Sequence, residues 1–183
     1  MNKMREIRIE KLTLNIGAGK AQDVLEKGLK LLKTLSTRDP VKTFTNKRIP
    51  AWGLRPGLPI GCKITLRKEE AKKMLLRLLE AKDYILSENQ FDENGNLSFG
   101  LKEYIDIPGM KYEPEIGMMG FEVCITLERP GFRIKKRKNL KKKIPPKHKI
   151  SKEEAVEFMK TNFKVKFGEE EWVIAIIKKQ LPN

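Results

Sequence analysis

The sequence predicts an α+β domain: one antiparallel sheet with helices packed on one face, a long basic loop and a basic C-terminal extension. Three observations carry this. Short segments alternate apolar and polar residues, two longer ones place apolar residues at helical spacing, and glycine and proline cluster between them. The order is strand, helix, loop, strand, helix, strands, basic tract, helix, without internal repeat. With 183 residues, 39% of them hydrophobic, there is material for one core, so residues 1–167 read as a single domain. Residues 168–183 form a tail.

Segment 7–16 alternates, with Leu12, Leu14 and Ile16 on one side and Lys11, Thr13 and Asn15 on the other, as a half-buried strand does. A Gly17-Ala-Gly19 turn leads into a helix over about 21–35, whose stripe is Val24, Leu25, Gly28, Leu29, Leu31, Leu32 and Leu35. Pro40 closes that unit. Between positions 44 and 61, three prolines and three glycines shape a loop rather than an element. Alternation returns at 60–66, with Cys62, Ile64 and Leu66 inward and Lys63, Thr65 and Arg67 outward. A second helix follows over about 68–86 on Ala71, Met74, Leu75, Leu78 and Leu79.

Asn94-Gly95 is turn chemistry. After it come a strand through Leu97, Phe99 and Leu101, an irregular stretch around Ile107-Pro-Gly-Met110, and a strand with Phe121, Val123, Ile125 and Leu127 on one face. Ser151-Lys-Glu-Glu154 is a capping box that opens a third helix through Ala155, Val156, Phe158 and Met159.

Charge divides the chain sharply. The net charge is +15, yet two acid-free blocks hold +19: residues 40–68 carry seven bases, residues 129–152 carry twelve, and the remainder is slightly acidic. Bases without compensating acids repel one another unless a polyanion is present, and release of counterions from phosphates supplies the affinity. Neither block has an apolar helical face for a membrane interface, and no apolar run approaches the roughly 18 residues of a spanning helix. No secretory signal is visible at the N-terminus, and two cysteines make no disulfide framework, so the expected setting is the cytoplasm.

Catalytic and metal constellations are not expected. After Gly17-Ala-Gly19 the third glycine of a dinucleotide fingerprint would fall on Gln22, and no Walker spacing exists. His148 is the only histidine, it lies among lysines, and Cys62 and Cys124 lie far from it, so neither a metal nor a cofactor is expected. Glu69-Glu70 and Glu153-Glu154 read as first-turn acids that complement helix dipoles. The polar strand faces say more. Lys11, Thr13 and Asn15, with Lys63, Thr65 and Arg67, mix cations with short hydrogen-bonding groups, as contacts to phosphate, ribose and splayed RNA bases require. Phe44 and Trp52 in the basic loop either stack on bases or pack on the core.

Five segments, in order, resemble one family: Lys11-Leu-Thr-Leu-Asn-Ile-Gly-Ala-Gly-Lys20, Leu58-Pro-Ile-Gly-Cys-Lys-Ile-Thr-Leu-Arg67, Phe91-Asp-Glu-Asn-Gly-Asn-Leu-Ser-Phe-Gly-Leu101, Ile105-Asp-Ile-Pro-Gly109 and Thr126-Leu-Glu-Arg-Pro-Gly-Phe-Arg133. The family is ribosomal protein L5, the large-subunit proteins that bind 5S rRNA, and the Glu-Arg-Pro-Gly-Phe segment with its basic tract resembles the archaeal and eukaryotic branch. The resemblance implies a non-enzymatic constituent of the large subunit that anchors 5S rRNA in the central protuberance. Its partners would be 5S rRNA, large-subunit rRNA, neighbouring ribosomal proteins and, through the loop around residues 44–59, the peptidyl-site tRNA. It places RNA contacts on Lys11, Asn15 and Thr65. A family glutamine after the first helix is Arg38 here, which suits a phosphate rather than an amide-type hydrogen bond. Thr13, Lys63 and Arg67 join this surface, Arg133, Lys135, Lys136 and Arg137 represent the tract, and Lys47, Arg48, Trp52 and Arg55 represent the loop. The rival readings are a nucleotide-dependent RNA-modifying enzyme at the glycine turn and a general RNA chaperone. The tail after Gly168 caps the last helix or meets a neighbouring protein.

Overall fold

The computed structural model describes residues 2–36 and 38–168; the tail from 169 onward, and the roles considered for it, lie outside the described residues. In chain order the elements are strand β1 (Arg8–Gly17), helix α1 (Gln22–Leu35), β2 (Val41–Phe44), β3 (Pro59–Leu66), α2 (Lys68–Glu80), β4 (Ile85–Leu86), β5 (Leu97–Leu101), β6 (Phe121–Glu128), α3 (Lys152–Phe163) and β7 (Lys166–Phe167). Five strands form one sheet in the order β2-β3-β1-β6-β5, every neighbouring pair antiparallel. The α+β class with an antiparallel sheet is as the sequence predicts.

Alternation decides which face is covered. Leu12, Leu14 and Ile16 of β1 join Cys62, Ile64 and Leu66 of β3, Val123, Ile125 and Leu127 of β6, and Leu97, Phe99 and Leu101 of β5 in one core. Leu25, Leu31, Leu32 and Leu35 of α1 and Ala71, Met74, Leu75, Leu78 and Leu79 of α2 close it from above, with α1 over β3 and β1 and α2 over β1. Because strand side chains alternate with period two, the other face carries the polar residues, and no helix among the described residues covers it. At Gly28 α1 lies close on the sheet: a Cβ there would be 3.1 Å from the Cys62 sulfur and 3.2 Å from Ile16.

Two elements differ from expectation. The second helix stops at Glu80 rather than near Leu86, because Asp83 and Tyr84 both take left-handed backbone (φ +52° and +58°). The chain then runs on as β4, paired in parallel with β7. The segment before the loop is an edge strand, β2, whose side chains are mostly exposed; its residues show no inward apolar alternation, so pairing with β3 alone defines it. Among the described residues no helix is long and apolar enough to cross a membrane.

Candidate nucleic-acid interface

Cross-strand register assembles the open face row by row. Val41 lies beside Lys63, Lys63 beside Asn15, Asn15 beside Glu122, and Glu122 beside Gly100. The next row is Thr65, Thr13, Cys124 and Ser98, and below it Lys11 pairs with Thr126. Lys11, Thr13 and Asn15 are half-buried at the base of this surface, and Lys63 stands exposed at its side. Among the described residues neither Lys11 nor Lys63 forms an ion pair, so both charges are available to an external anion. Cys124 faces out between them; burial, followed by the nearby Glu122 carboxylate, raises its thiol pKa, with Lys11 opposing. It is a neutral weak donor at physiological pH.

The expected basic loop is ordered by its own hydrogen bonds. Thr45 is buried, donates its hydroxyl to the Arg55 carbonyl, and exchanges backbone contacts with Leu58 (3.0 Å) and Gly57 (2.9 Å). Ile49 bridges to Leu54, and a 3-10 turn over Pro50–Trp52 ends at Gly53 with φ +60°. This frame leaves Phe44 56% and Trp52 66% exposed, which decides between their two readings: neither packs on the core, and both present a ring to solvent beside Lys47, Arg48 and Arg55, which are also exposed.

The basic tract is pinned rather than trailing. Arg129 is buried; its Nη2 donates to Glu154 Oε1 at 2.7 Å and its Nη1 to the Lys149 carbonyl at 3.0 Å, tying the start of the tract to its end and to α3. His148 donates from Nε2 to the Pro130 carbonyl at 2.9 Å and meets the Phe132 ring edge-on, a structural task for the lone histidine. Lys135 lies over the Phe132 ring, 4.8 Å from its centroid, and Arg137 donates to the Leu140 carbonyl. Arg133 is exposed without an ion pair among the described residues.

Three predicted contact residues are committed elsewhere. Lys136 sits between Glu10 (2.7 Å) and Glu128 (2.9 Å), carboxylates that are only 9% and 14% exposed. Arg67 leans on Glu10 at 3.6 Å, and Arg8 pairs with Glu128 at 2.7 Å. Arg38 pairs with Glu70 in the first turn of α2 at 2.8 Å, in the helix layer rather than on the open face. Acids outside each basic block fold back against it, and a linear count of charge does not register this.

These pairs set a pH dependence. Burial works against the charged forms of Glu128 and Glu154, but bonds from Lys136 and Arg8 in the first case, and from the Ser151 N–H and Arg129 in the second, outweigh it and lower both pKa values below 4.5. For a carboxyl lowered on folding, the stabilisation is complete above its unfolded pKa and disappears as pH falls through the folded one. Lys136 runs the other way: burial opposes, Glu10 and Glu128 prevail, its pKa is raised above 10.5, and its contribution is lost as pH rises beyond that. Melting temperature is therefore expected to drop on acidification below 4.5, and Glu128→Gln should shrink that drop; an unchanged acid limb in thermal melts would refute the assignment.

The glycine turn before α1 is tied to the start of β3. The N–H groups of Ala18 and Gly19 both donate to the Ile60 carbonyl, at 2.9 and 3.0 Å, so these two turn donors are not open to a phosphate.

A polar sheet face that no described residue covers, with lysines unpaired among the described residues, beside an ordered basic loop and a pinned basic tract, has the make-up of the nucleic-acid-binding class of protein. Comparison with known proteins narrows the class. The family profile "Ribosomal protein L5" matches residues 2–55, and that of the C-terminus of the same ribosomal family matches residues 59–158. Similar relatives are "Large ribosomal subunit protein uL5" of Methanobrevibacter smithii (48% identical, 91% of this chain and 98% of the relative), of Sulfurisphaera tokodaii (47%, 90% and 94%) and of Nanoarchaeum equitans (48%, 85% and 92%). The chain belongs to the ribosomal protein L5 family, of archaeal type. It is accordingly a structural, non-enzymatic, RNA-binding constituent of the large ribosomal subunit, working in the cytoplasm with rRNA and ribosomal proteins as partners.

Proposed function

We propose that this protein binds 5S rRNA through the open sheet face, anchors it in the central protuberance, and reaches the peptidyl-site tRNA with the loop of Lys47, Arg48, Trp52 and Arg55. The observation that carries the reading is the cross-strand block Lys63–Asn15 and Thr65–Thr13, beside Lys11. It offers two cations and three short hydrogen-bonding side chains on a surface that no part of the described chain covers. Lys11 and Lys63, with Arg133 and the loop bases, neutralise phosphates; Asn15, Thr13 and Thr65 contact sugar or base. The tRNA contact is supported by the loop, which holds an exposed Trp52 and Phe44 among bases, the combination that stacks on nucleotides while neutralising their backbone.

Filter binding against 5S rRNA and a scrambled RNA of equal length tests the reading. Preference for 5S rRNA supports it, and equal affinity for both would leave only a general RNA chaperone. Thr65→Ala is expected to weaken 5S rRNA binding by about fivefold or more with the salt slope intact, because a hydroxyl contact releases no counterion. A Thr65→Ala variant that alters the slope as a lysine replacement does would undo this division of labour.

A further inference from the structure

Glu122 is an anomaly on a surface built for RNA. It stands exposed on the open face near the start of β6, paired across the strands with Asn15 on one side and Gly100 on the other. Glu10 and Glu128 are each matched to cations, but among the described residues Glu122 has none. Its one polar contact among them is the Asn15 amide nitrogen, which donates to Oε2 at 3.5 Å. That leaves Oε1 of Glu122 and Oδ1 of Asn15, on cross-strand neighbours, as acceptors without a donor among the described residues. An uncompensated carboxylate repels phosphate, so phosphate is not what this spot accommodates.

Gly100 is the second anomaly. Its φ is not in the left-handed region, and a Cβ placed on it would meet nothing within 4 Å. Gly61 and Gly120 differ: there the added atom would lie 2.5 and 2.6 Å from backbone oxygens. Glycine in mid-strand weakens a sheet, and where the described residues give no steric reason for it, close approach of another molecule is a physical role that it serves.

Acceptors in a pair beside bare, flat backbone are complementary to a nucleobase: adjacent N–H donors on its edge and a planar face to lay down. Guanine presents two such donors side by side, N1–H and the N2 amino group. Adenine and uracil each place an acceptor where the carboxylate would be. Carboxylates likewise read amino groups in duplex recognition, and single-stranded or bulged RNA exposes this edge. Resting on the RNA-binding reading above, we propose that Glu122 and Asn15 accept hydrogen bonds from the Watson–Crick edge of one unstacked guanine, and that Gly100 is the bare ground on which that base lies. Glu122 thus acts as a specificity residue, and the lysines around it supply attraction without choice.

The sign of one substitution separates this from the ordinary alternative. If Glu122 is only a solvated acid, Glu122→Gln removes a negative charge opposite RNA and tightens binding. On the proposal it loosens binding to 5S rRNA by about five- to tenfold, since the neutral amide is the weaker acceptor, with the salt slope unchanged. Gly100→Val is expected to keep or raise the melting temperature and still weaken binding. RNA with inosine in place of guanosine, which lacks the N2 amino group, should bind the wild-type chain more weakly, and Glu122→Gln should reduce that penalty. Tighter or unchanged binding by Glu122→Gln, or full affinity in Gly100→Val, overturns the proposal. If the wild-type chain shows no preference for 5S rRNA, the 5S reading fails on its own. The same measurements on whole large-subunit rRNA then decide the role of Glu122 by the same signs.

Discussion

Replacing Glu154 with leucine is expected to destabilise the protein by about 3 kcal/mol, because the change strands a buried guanidinium. Arg129 is 4% exposed, its Nε has no hydrogen-bond partner, and Glu154 is its only ionic partner among the described residues. Breaking a buried pair from one side typically costs about 3–5 kcal/mol. The lower end applies because the Glu154 side chain is 43% exposed and the Lys149 carbonyl still receives Nη1. Part of the loss has a second origin: Glu154 Oε2 also accepts from the Ser151 N–H at 3.1 Å to close the capping box of α3, a cap worth about 1 kcal/mol. Glu154→Gln preserves the cap geometry and removes only the charge, so its smaller loss separates the two. Arg129→Met combined with Glu154→Leu should recover stability relative to Glu154→Leu alone, since no charge is left stranded. Urea unfolding measures all three; a double variant less stable than the single would show that Arg129 contributes packing the pair does not explain. The functional consequence follows from position. Arg129, Lys149 and Glu154 close the tract into a loop, so Glu154→Leu should also weaken RNA binding without touching any proposed RNA contact.

The second large effect lies on the open face. Exchanging Lys11 and Lys63 for glutamine together is expected to reduce 5S rRNA affinity by tenfold or more at moderate salt, and to lower the slope of log affinity against log salt by about 1.4–1.8. Among the described residues these lysines have no ion-pair partner to fall back on, so each contact they make releases counterions. Lys136→Gln is the instructive contrast. Its charge already serves Glu10 and Glu128, so the loss should appear as lower stability, with little change in slope. A larger slope change for Lys136 than for Lys63 would mean that RNA pulls Lys136 out of its cluster on binding. Titration over a series of salt concentrations, with melting curves for each variant, settles which occurs.

What the sequence made legible was what depends on near neighbours. Leu12, Leu14 and Ile16 against Lys11, Thr13 and Asn15 announced both faces of β1, and Ser151 with Glu154 announced the start of α3, because alternation and capping are local. The end of α2 was hidden: Tyr84, Ile85 and Leu86 continue an apolar helical pattern, and only the left-handed backbone at Asp83 and Tyr84 and the pairing with Lys166 and Phe167 redirect it. β2 was hidden for the opposite reason, since an exposed edge strand has no inward face to betray it. The site divided in the same way. Side-chain direction put Lys63 and Thr65 on the same face as Asn15 and Thr13, and only the register shows that they lie opposite one another. The engagement of Arg67 and Lys136 with Glu10 depends on contacts across 57 and 126 positions of chain, beyond any window on charge. Glu122 escaped notice because its strand neighbours are core residues and its meaning comes from Asn15 and Gly100, which lie on other strands.

The central claim is that the sheet face chooses the RNA while the loop and the tract supply attraction. Ultraviolet crosslinking of the protein to 5S rRNA, with the crosslinked residues mapped by mass spectrometry, tests it most directly. Crosslinks at 11–15, 61–65 and 122–124, in addition to those in the basic segments, are the predicted result. Crosslinks confined to residues 42–58 and 129–152, with the sheet face unmodified, would contradict it.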